Sequence, residues 1–390
     1  MPRITLVREV FTECKGLGAA TAAPMGFVLT EEVADAGGRA VSAEFSSGLT
    51  VGVTGPTGEI GSAFVRALDR ADPIDRIIGM ARSPFDPEAA GLKKLEYMQG
   101  DILDRSSVDA LVKDVDVVVH LAFLVFGSAE GTRAVNLEGT RNVFEATLQS
   151  RVPRLVYTSS VAAYGFHEDN PELLTEDVPA RGSHDHYYAQ QKAELEVMLE
   201  KLAKELPDTD AYVFRPCIVA GPNALALIEN IPYVKITEKL PGRVRKIVGG
   251  LPVLRPVIPD PGVPFQLVHE DDVAQALVAA VLGAGEPGTY NLAADGEVTL
   301  SDLAHALGWY AISIPELTID AAAEIVSRMP YLPAAASWVT ALRVPVLMDT
   351  TRARHKLGWE PKHDALETLA EAIHAARQKG LLAWQEKKPR

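Results

Sequence analysis

The 390-residue sequence predicts an α/β protein, a doubly wound parallel sheet with a smaller C-terminal lobe. Three observations lead there. Short, continuously apolar runs alternate with amphipathic stretches from Leu49 to Val219, the pattern of strands covered on both faces by helices. A glycine-rich turn joins the first apolar run to the first amphipathic one. After Gly221 the rhythm breaks into segments rich in Pro, Gly and Val.

Taken in order, Leu49–Thr54 reads as the first strand, and Gly61–Leu68 as a helix with Phe64, Val65 and Leu68 on one face. Arg76–Ala81 and Leu95–Met98 read as strands, Ser107–Val112 as a helix and Val117–Leu121 as a buried strand. A helix from about Gly131 to Leu148 leads to the strand Arg154–Ser159. Tyr187 to Leu206 carries Leu195, Met198, Leu199 and Leu202 at helical spacing, and Ala211–Val219 is expected to be the closing strand. Beyond it, Phe265–His269 resembles a further strand and Asp272–Leu282 a helix. The expected layout is a nucleotide-binding-type α/β domain over 48–221, joined by 265–294, and a lobe of 222–264 and 295–390. Residues 1–47 lack periodicity and are expected to be an extension dispensable for folding.

Composition excludes several classes. The net charge is −14, which disfavours nucleic acid and anionic membrane as partners. No run approaches the roughly 18 apolar residues needed to span a membrane. Two cysteines, Cys14 and Cys217, are too few for a disulfide framework. Cys217 lies in an apolar run and is expected to be a buried thiol. A cytoplasmic setting is the expectation.

The first chemical signal is Thr54-Gly55-Pro56-Thr57-Gly58-Glu59-Ile60-Gly61. Glycines there permit a tight turn and a close approach of backbone to a pyrophosphate, which the following helix N-terminus would face. Thr57, Glu59 and Ile60 fall inside this turn. An acidic residue at the end of the second strand would favour NAD. This chain instead has Ala81, then Arg82, and an arginine suits a 2′-phosphate; NADP is therefore expected over NAD. Asp101, with Ile102 beside it, follows the third strand, near where an adenine would lie. Asp101 also fits a plain turn or helix cap.

Tyr188-Ala-Gln-Gln-Lys192 places two side chains on one helix face. A neighbouring ammonium favours a phenolate, so Lys192 is expected to lower the pKa of Tyr188 and make it an acid or base. Tyr187 is the rival, one position off the ideal face. Ser160 ends the run Tyr157-Thr-Ser-Ser160 at a strand's carboxyl end, where a hydroxyl can meet a substrate carbonyl. His184-Asp-His186 has no third ligand nearby in sequence, and no metal is expected.

Glycine turn, strand-end serine and Tyr/Lys pair, in that order, resemble the extended short-chain dehydrogenase/reductases, also called the NAD-dependent epimerase/dehydratase family. The resemblance spans about residues 49–375. Gly55, Gly58 and Gly61 match its glycine motif, Tyr188 and Lys192 its Tyr-x-x-x-Lys, and Ser160 its catalytic Ser/Thr. His120-Leu121-Ala122 looks like the segment beside the cofactor, and Asn136 to Thr140 like its Asn-x-x-Gly-Thr. Arg215-Pro216, Val219–Pro222, Val268–Val273 and Lys356–Pro361 look like its later signatures. The resemblance implies a Rossmann-type fold, a bound nicotinamide cofactor touching Leu121, Ala122, Asn136, Tyr188, Lys192 and Pro216, and a homodimer built from helix pairs.

The expected function is hydride transfer between that cofactor and a carbonyl or alcohol on a largely apolar small molecule, because Phe123-Leu-Val-Phe126 follows the cofactor segment. A sugar-nucleotide epimerase or dehydratase is the alternative enzyme. A non-catalytic NADP-binding redox sensor is the alternative of another class.

Overall fold

A computed structural model of the chain describes residues 48–238, 241, 255–313 and 344–382. The expected N-terminal extension and, of the expected lobe, residues 239–240, 242–254, 314–343 and 383–390 lie outside the described residues. None of the described helices is long and apolar enough to cross a membrane.

Seven strands form one parallel sheet. They are β1 (Leu49–Thr54), β2 (Ile74–Ala81), β3 (Leu95–Gln99), β4 (Val117–His120), β5 (Arg154–Thr158), β6 (Asp210–Pro216) and, at the far edge, Gly288–Leu292. From that edge the order is the 288–292 strand, β6, β5, β4, β1, β2, β3. The chain therefore leaves β1 in one direction and returns on its other side at β4. That reversal opens a crevice at the carboxyl ends of β1 and β4, where open sheets of this type bind ligands.

Strand side chains alternate between the faces. Val117 and Val119 join the cluster under α1 (Glu59–Asp69) and α8 (Glu270–Val281). Val118 joins the opposite cluster, under α2 (Arg105–Val112), α4 (Thr140–Gln149) and α5 (Tyr187–Glu205). Continuous apolar strands are what a sheet buried on both faces requires. The expected helix from Gly131 is three pieces: α3 (Ala129–Arg133), a π-helical turn (Ala134–Gly139) and α4. Such a widened turn often marks a functional position.

The expected closing strand is corrected in two respects. The run Ala211–Val219 breaks at Cys217 into β6 and β7 (Ile218–Ala220). Pro216 has no N–H to continue the ladder, and the Cys217 N–H turns to the Leu292 carbonyl at 2.9 Å. The sheet is closed instead by Gly288–Leu292. The strand expected at Phe265–His269 is the shorter β9 (Leu267–His269), which pairs with β7 outside the main sheet.

A third apolar cluster lies among the C-terminal elements. Ile228 of α6 (Ala226–Glu229) and Val234 of α7 (Pro232–Glu238) meet Ile258 of β8 (Val257–Asp260). Leu303 and Leu307 of α9 (Leu300–Leu307) and Leu369 and Ile373 of the helix Ala365–Gln378 complete it.

Candidate active site

The glycine turn is built from close backbone contacts. Gly55 has φ +72°, a conformation glycine adopts without penalty. A Cβ on Gly61 would lie 2.0 Å from the Gly55 carbonyl oxygen, so the first turn of α1 packs directly on the loop. A Cβ on Gly58 would meet only that same oxygen, at 3.5 Å, so this side of the turn is open. Gly58 is also the N-cap of α1 and brings no side-chain acceptor to its first N–H groups. An open, uncapped helix N-terminus at the switch point fits a pyrophosphate. Thr57 is exposed and Ile60 half-buried beside it. Glu59 swings away from the opening and accepts the Ala226 N–H at 2.9 Å, joining the turn to α6.

Thr54 and His120 hold the neighbouring loop. The Thr54 hydroxyl meets His120 Nδ1 at 2.7 Å and accepts from the N–H groups of Leu121 and Ala122. His120 Nε2 meets Thr140 Oγ1 at 2.9 Å. Burial pulls the pKa of this imidazole down to about 3, so it stays neutral. Leu121 and Ala122 are thereby fixed against the glycine turn.

Ser160, Tyr188 and Lys192 come together. Ser160 is extended at the end of β5, its side chain accepts the Ala162 N–H at 3.2 Å, and its polar group acts on the Tyr188 phenol to lower its pKa. Helix α5 starts at His186, whose imidazole accepts the Ala189 N–H, which fixes the first turn carrying Tyr188. One turn on, Lys192 Nζ donates to the Thr158 carbonyl at 2.8 Å and lies 3.4 Å from the Tyr157 hydroxyl. The Phe123 ring covers this ammonium at 3.8 Å and meets Tyr188 edge-on at 5.6 Å. Tyr187 points elsewhere and donates to the Val125 carbonyl at 3.0 Å.

The electrostatics reverse one expectation. Lys192 does not depress Tyr188 here. Burial pushes the phenol up to about 12, only partly offset by the Ser160 side chain. Burial likewise pulls Lys192 down to about 7, against the opposing pull of Glu196. Desolvation penalises the charged form of both groups, so Tyr188 rests as the neutral phenol.

The other expected cofactor residues divide. Arg82 is exposed just beyond β2. Pro216 is buried at the end of β6. Asp101 accepts the Leu103 N–H at 3.0 Å, the turn role that its position also allowed. Ile102 is buried against Gly139, where a Cβ would meet its Cδ1 at 2.6 Å. Asn136 is fully buried in the π-turn. Its amide bonds both the N–H and the carbonyl of Leu124 and the Gln191 side chain, so it faces protein and shapes the 123–126 loop.

Several contributors escaped the sequence reading. Thr158 offers its carbonyl to Lys192, and Gln191 holds Asn136. Glu196 lies one helical turn beyond Lys192, in a buried ion pair with Arg215. The spacing Tyr188, Lys192, Glu196 carries a signal for this in the sequence, since 4-residue steps share one helix face.

His269, His363 and Glu371 bring ligand-type atoms within 4.8 Å of one another. His269 Nδ1 accepts the Asp271 N–H, so its Nε2 carries the proton rather than a free lone pair. The His363 ring stacks on it at 3.9 Å, which keeps the two in-plane lone pairs from converging. This geometry suits a histidine–carboxylate contact better than a cation.

Comparison with known proteins agrees with this architecture. The NAD dependent epimerase/dehydratase family model matches residues 51–293. A Mycobacterium tuberculosis protein of uncharacterised function is 26% identical over 324 residues, 81% of this chain and 81% of its own. Human 3 beta-hydroxysteroid dehydrogenase type 7 is 35% identical over 151 residues, 36% of this chain and 41% of its own. The crystal structure of the Thermotoga maritima UDP-glucose 4-epimerase superposes with TM-score 0.63 at 20% identity, covering 85% of this chain and 99% of that one. The chain belongs to the NAD-dependent epimerase/dehydratase family and is an enzyme of the NAD-dependent short-chain dehydrogenase/reductase type.

Proposed function

We propose that the enzyme reduces a carbonyl, or oxidises the matching alcohol, on a largely apolar small molecule. The observation that carries this is the apolar wall packed against Tyr188. Phe123, Val125, Phe166 and Tyr187 pack on the cluster of Ala162, Tyr188 and Ala189. Sugar hydroxyls against such a wall would lose hydrogen bonds worth about 1–3 kcal/mol each, whereas a ring or chain gains roughly 25 cal/mol per Å² buried. A panel of substrates tests this. Hydrophobic ketones, aldehydes and their alcohols are expected to turn over, and UDP- and GDP-sugars to be inert. Efficient conversion of a nucleotide sugar, with the apolar carbonyls untouched, would transfer the assignment to an epimerase.

The chain's own groups divide the work. When bound, the nicotinamide dinucleotide supplies the hydride chemistry. Ser160 and Tyr188 hold the carbonyl oxygen. Tyr188, neutral at rest, is set to give its proton to that oxygen as it gains charge. Lys192, held by the Thr158 carbonyl, stands 6.0 Å from the Tyr188 ring and positions the phenol without lowering its resting pKa. The Phe123 ring keeps water from this ammonium.

We further propose NADP as the cofactor. Arg82 follows directly on β2 and is solvent-exposed, free of the desolvation that would oppose pairing with a 2′-phosphate. Calorimetric titration is expected to show tighter binding of NADP than of NAD, with Arg82→Ala reducing the ratio about tenfold. Equal affinities in the wild type, or a ratio untouched by the substitution, would assign Arg82 to the solvent.

A further inference from the structure

A buried ion pair stands behind the proposed catalytic groups, and the chemistry above does not use it. Glu196 and Arg215 have side chains only 9% and 5% exposed. Arg215 Nε lies 3.0 Å from Glu196 Oε1, and Nη2 lies 2.5 Å from Oε2, a two-pronged contact. The same carboxylate accepts the Ser159 hydroxyl. Ser159 sits between Thr158, whose carbonyl holds Lys192, and Ser160. The Tyr157 hydroxyl lies next to the Lys192 ammonium, at 3.4 Å. One carboxylate thus touches the ends of β5 and β6 from the helix that carries Tyr188 and Lys192.

We propose that Glu196 is a positioning residue for the reaction: its carboxylate, clamped by Arg215 and Ser159, is the counter-charge for Lys192 and locks the strand end that presents Ser160. This rests on the reading that Lys192 serves the reaction. A buried ion pair is weak evidence of stability gained, since desolvation of both ions opposes it. Its placement one turn from a fully buried ammonium gives it a different use.

Among the described residues around Lys192, Glu196 is the group that supplies that charge. His120 of β4 is held neutral. Burial raises Tyr157 of β5 and Tyr188 of α5 well above the phenol range, so both stay neutral. Arg215 of β6 is a cation and is compensated by Glu196 itself. Phe123 contributes a ring face. Glu196 is the charge that opposes the loss of the Lys192 proton.

The test reads the ammonium directly. Full-length protein labelled with [13C]lysine is titrated by NMR, and the Lys192 Cε signal is identified by its disappearance in Lys192→Met. In Glu196→Gln the amide still accepts from Ser159, but the charge is gone. The Lys192 midpoint is expected to fall by about one pH unit. That variant leaves Arg215 unpaired, so Glu196→Gln/Arg215→Gln exchanges the whole ion pair for two amides. It should melt close to the wild type and show a smaller fall, because a cation leaves with the anion, whereas Glu196→Asp should retain most of the wild-type midpoint. A midpoint unchanged in Glu196→Gln, or one that falls as far in Glu196→Asp as in Glu196→Gln, would overturn the proposal. No substrate is needed, so the reaction reading fails separately: Tyr188→Phe would then turn over normally while the midpoint still moved.

Discussion

Tyr188→Phe is expected to lower turnover by a factor of about 10² or more while leaving dinucleotide affinity and the fold nearly intact. The ring stays where it is, edge-on to Phe123 at 5.6 Å, because phenylalanine fills the same space. What is lost is one hydroxyl and its interaction with Ser160. A neutral hydrogen bond is worth about 0.5–1.5 kcal/mol in stability, so a folding defect cannot account for a hundredfold loss. The control is Tyr187→Phe. Its hydroxyl holds the Val125 carbonyl and not the Ser160 side of the cleft, so its removal should change turnover only severalfold. Steady-state rates for both variants, beside their melting temperatures, decide the matter. Normal turnover in Tyr188→Phe, with a collapse in Tyr187→Phe, would move the acid to Tyr187.

Gly61→Ala should cost both stability and cofactor binding, and Gly58→Ala binding alone. At Gly61 the new methyl would sit 2.0 Å from the Gly55 oxygen and 3.0 Å from two further backbone carbons, none of which can swing aside. Overpacking of this kind costs about 1–3 kcal/mol, more than the roughly 1 kcal/mol that alanine gains over glycine within a helix. The shift of the turn should also abolish measurable binding of NADH and NADPH. At Gly58 the backbone is extended and the methyl meets only ordinary contact. The protein should melt normally, with affinity reduced because the methyl occupies the open side of the turn. Thermal unfolding together with calorimetric titration separates the two. A Gly61→Ala protein that melts and binds like the wild type would remove the turn from the cofactor site.

Much of the sheet was legible from local pattern. Val117, Val118 and Val119 announce a strand buried on both faces without reference to any neighbour, and Tyr188 and Lys192 share a helix face whatever the helix packs on. The edge strand Gly288–Leu292 was not legible. Its five residues GTYNL are too short and mixed to stand out, and they become a strand because β6 offers a free edge. The break at Cys217 also depends on a distant partner, the Leu292 carbonyl.

At the site, the sequence by itself determined which groups are present and their order: a glycine turn before a helix, a serine at a strand end, a tyrosine and a lysine one turn apart. Those are local properties of spacing and residue type. Tertiary structure decided what the groups are worth. Asn136 turned inward because Leu124 and Gln191, 12 and 55 residues away, took its amide. Tyr188 rests as a phenol and Lys192 near the edge of its charge because burial, which no spacing encodes, outweighs their neighbours. Glu196 gained its place behind Lys192 only when the fold brought Ser159 and Arg215 to one carboxylate. Charge is cheap in water and costly in a closed interior, so its energetics are written in the packing rather than in the order of residues.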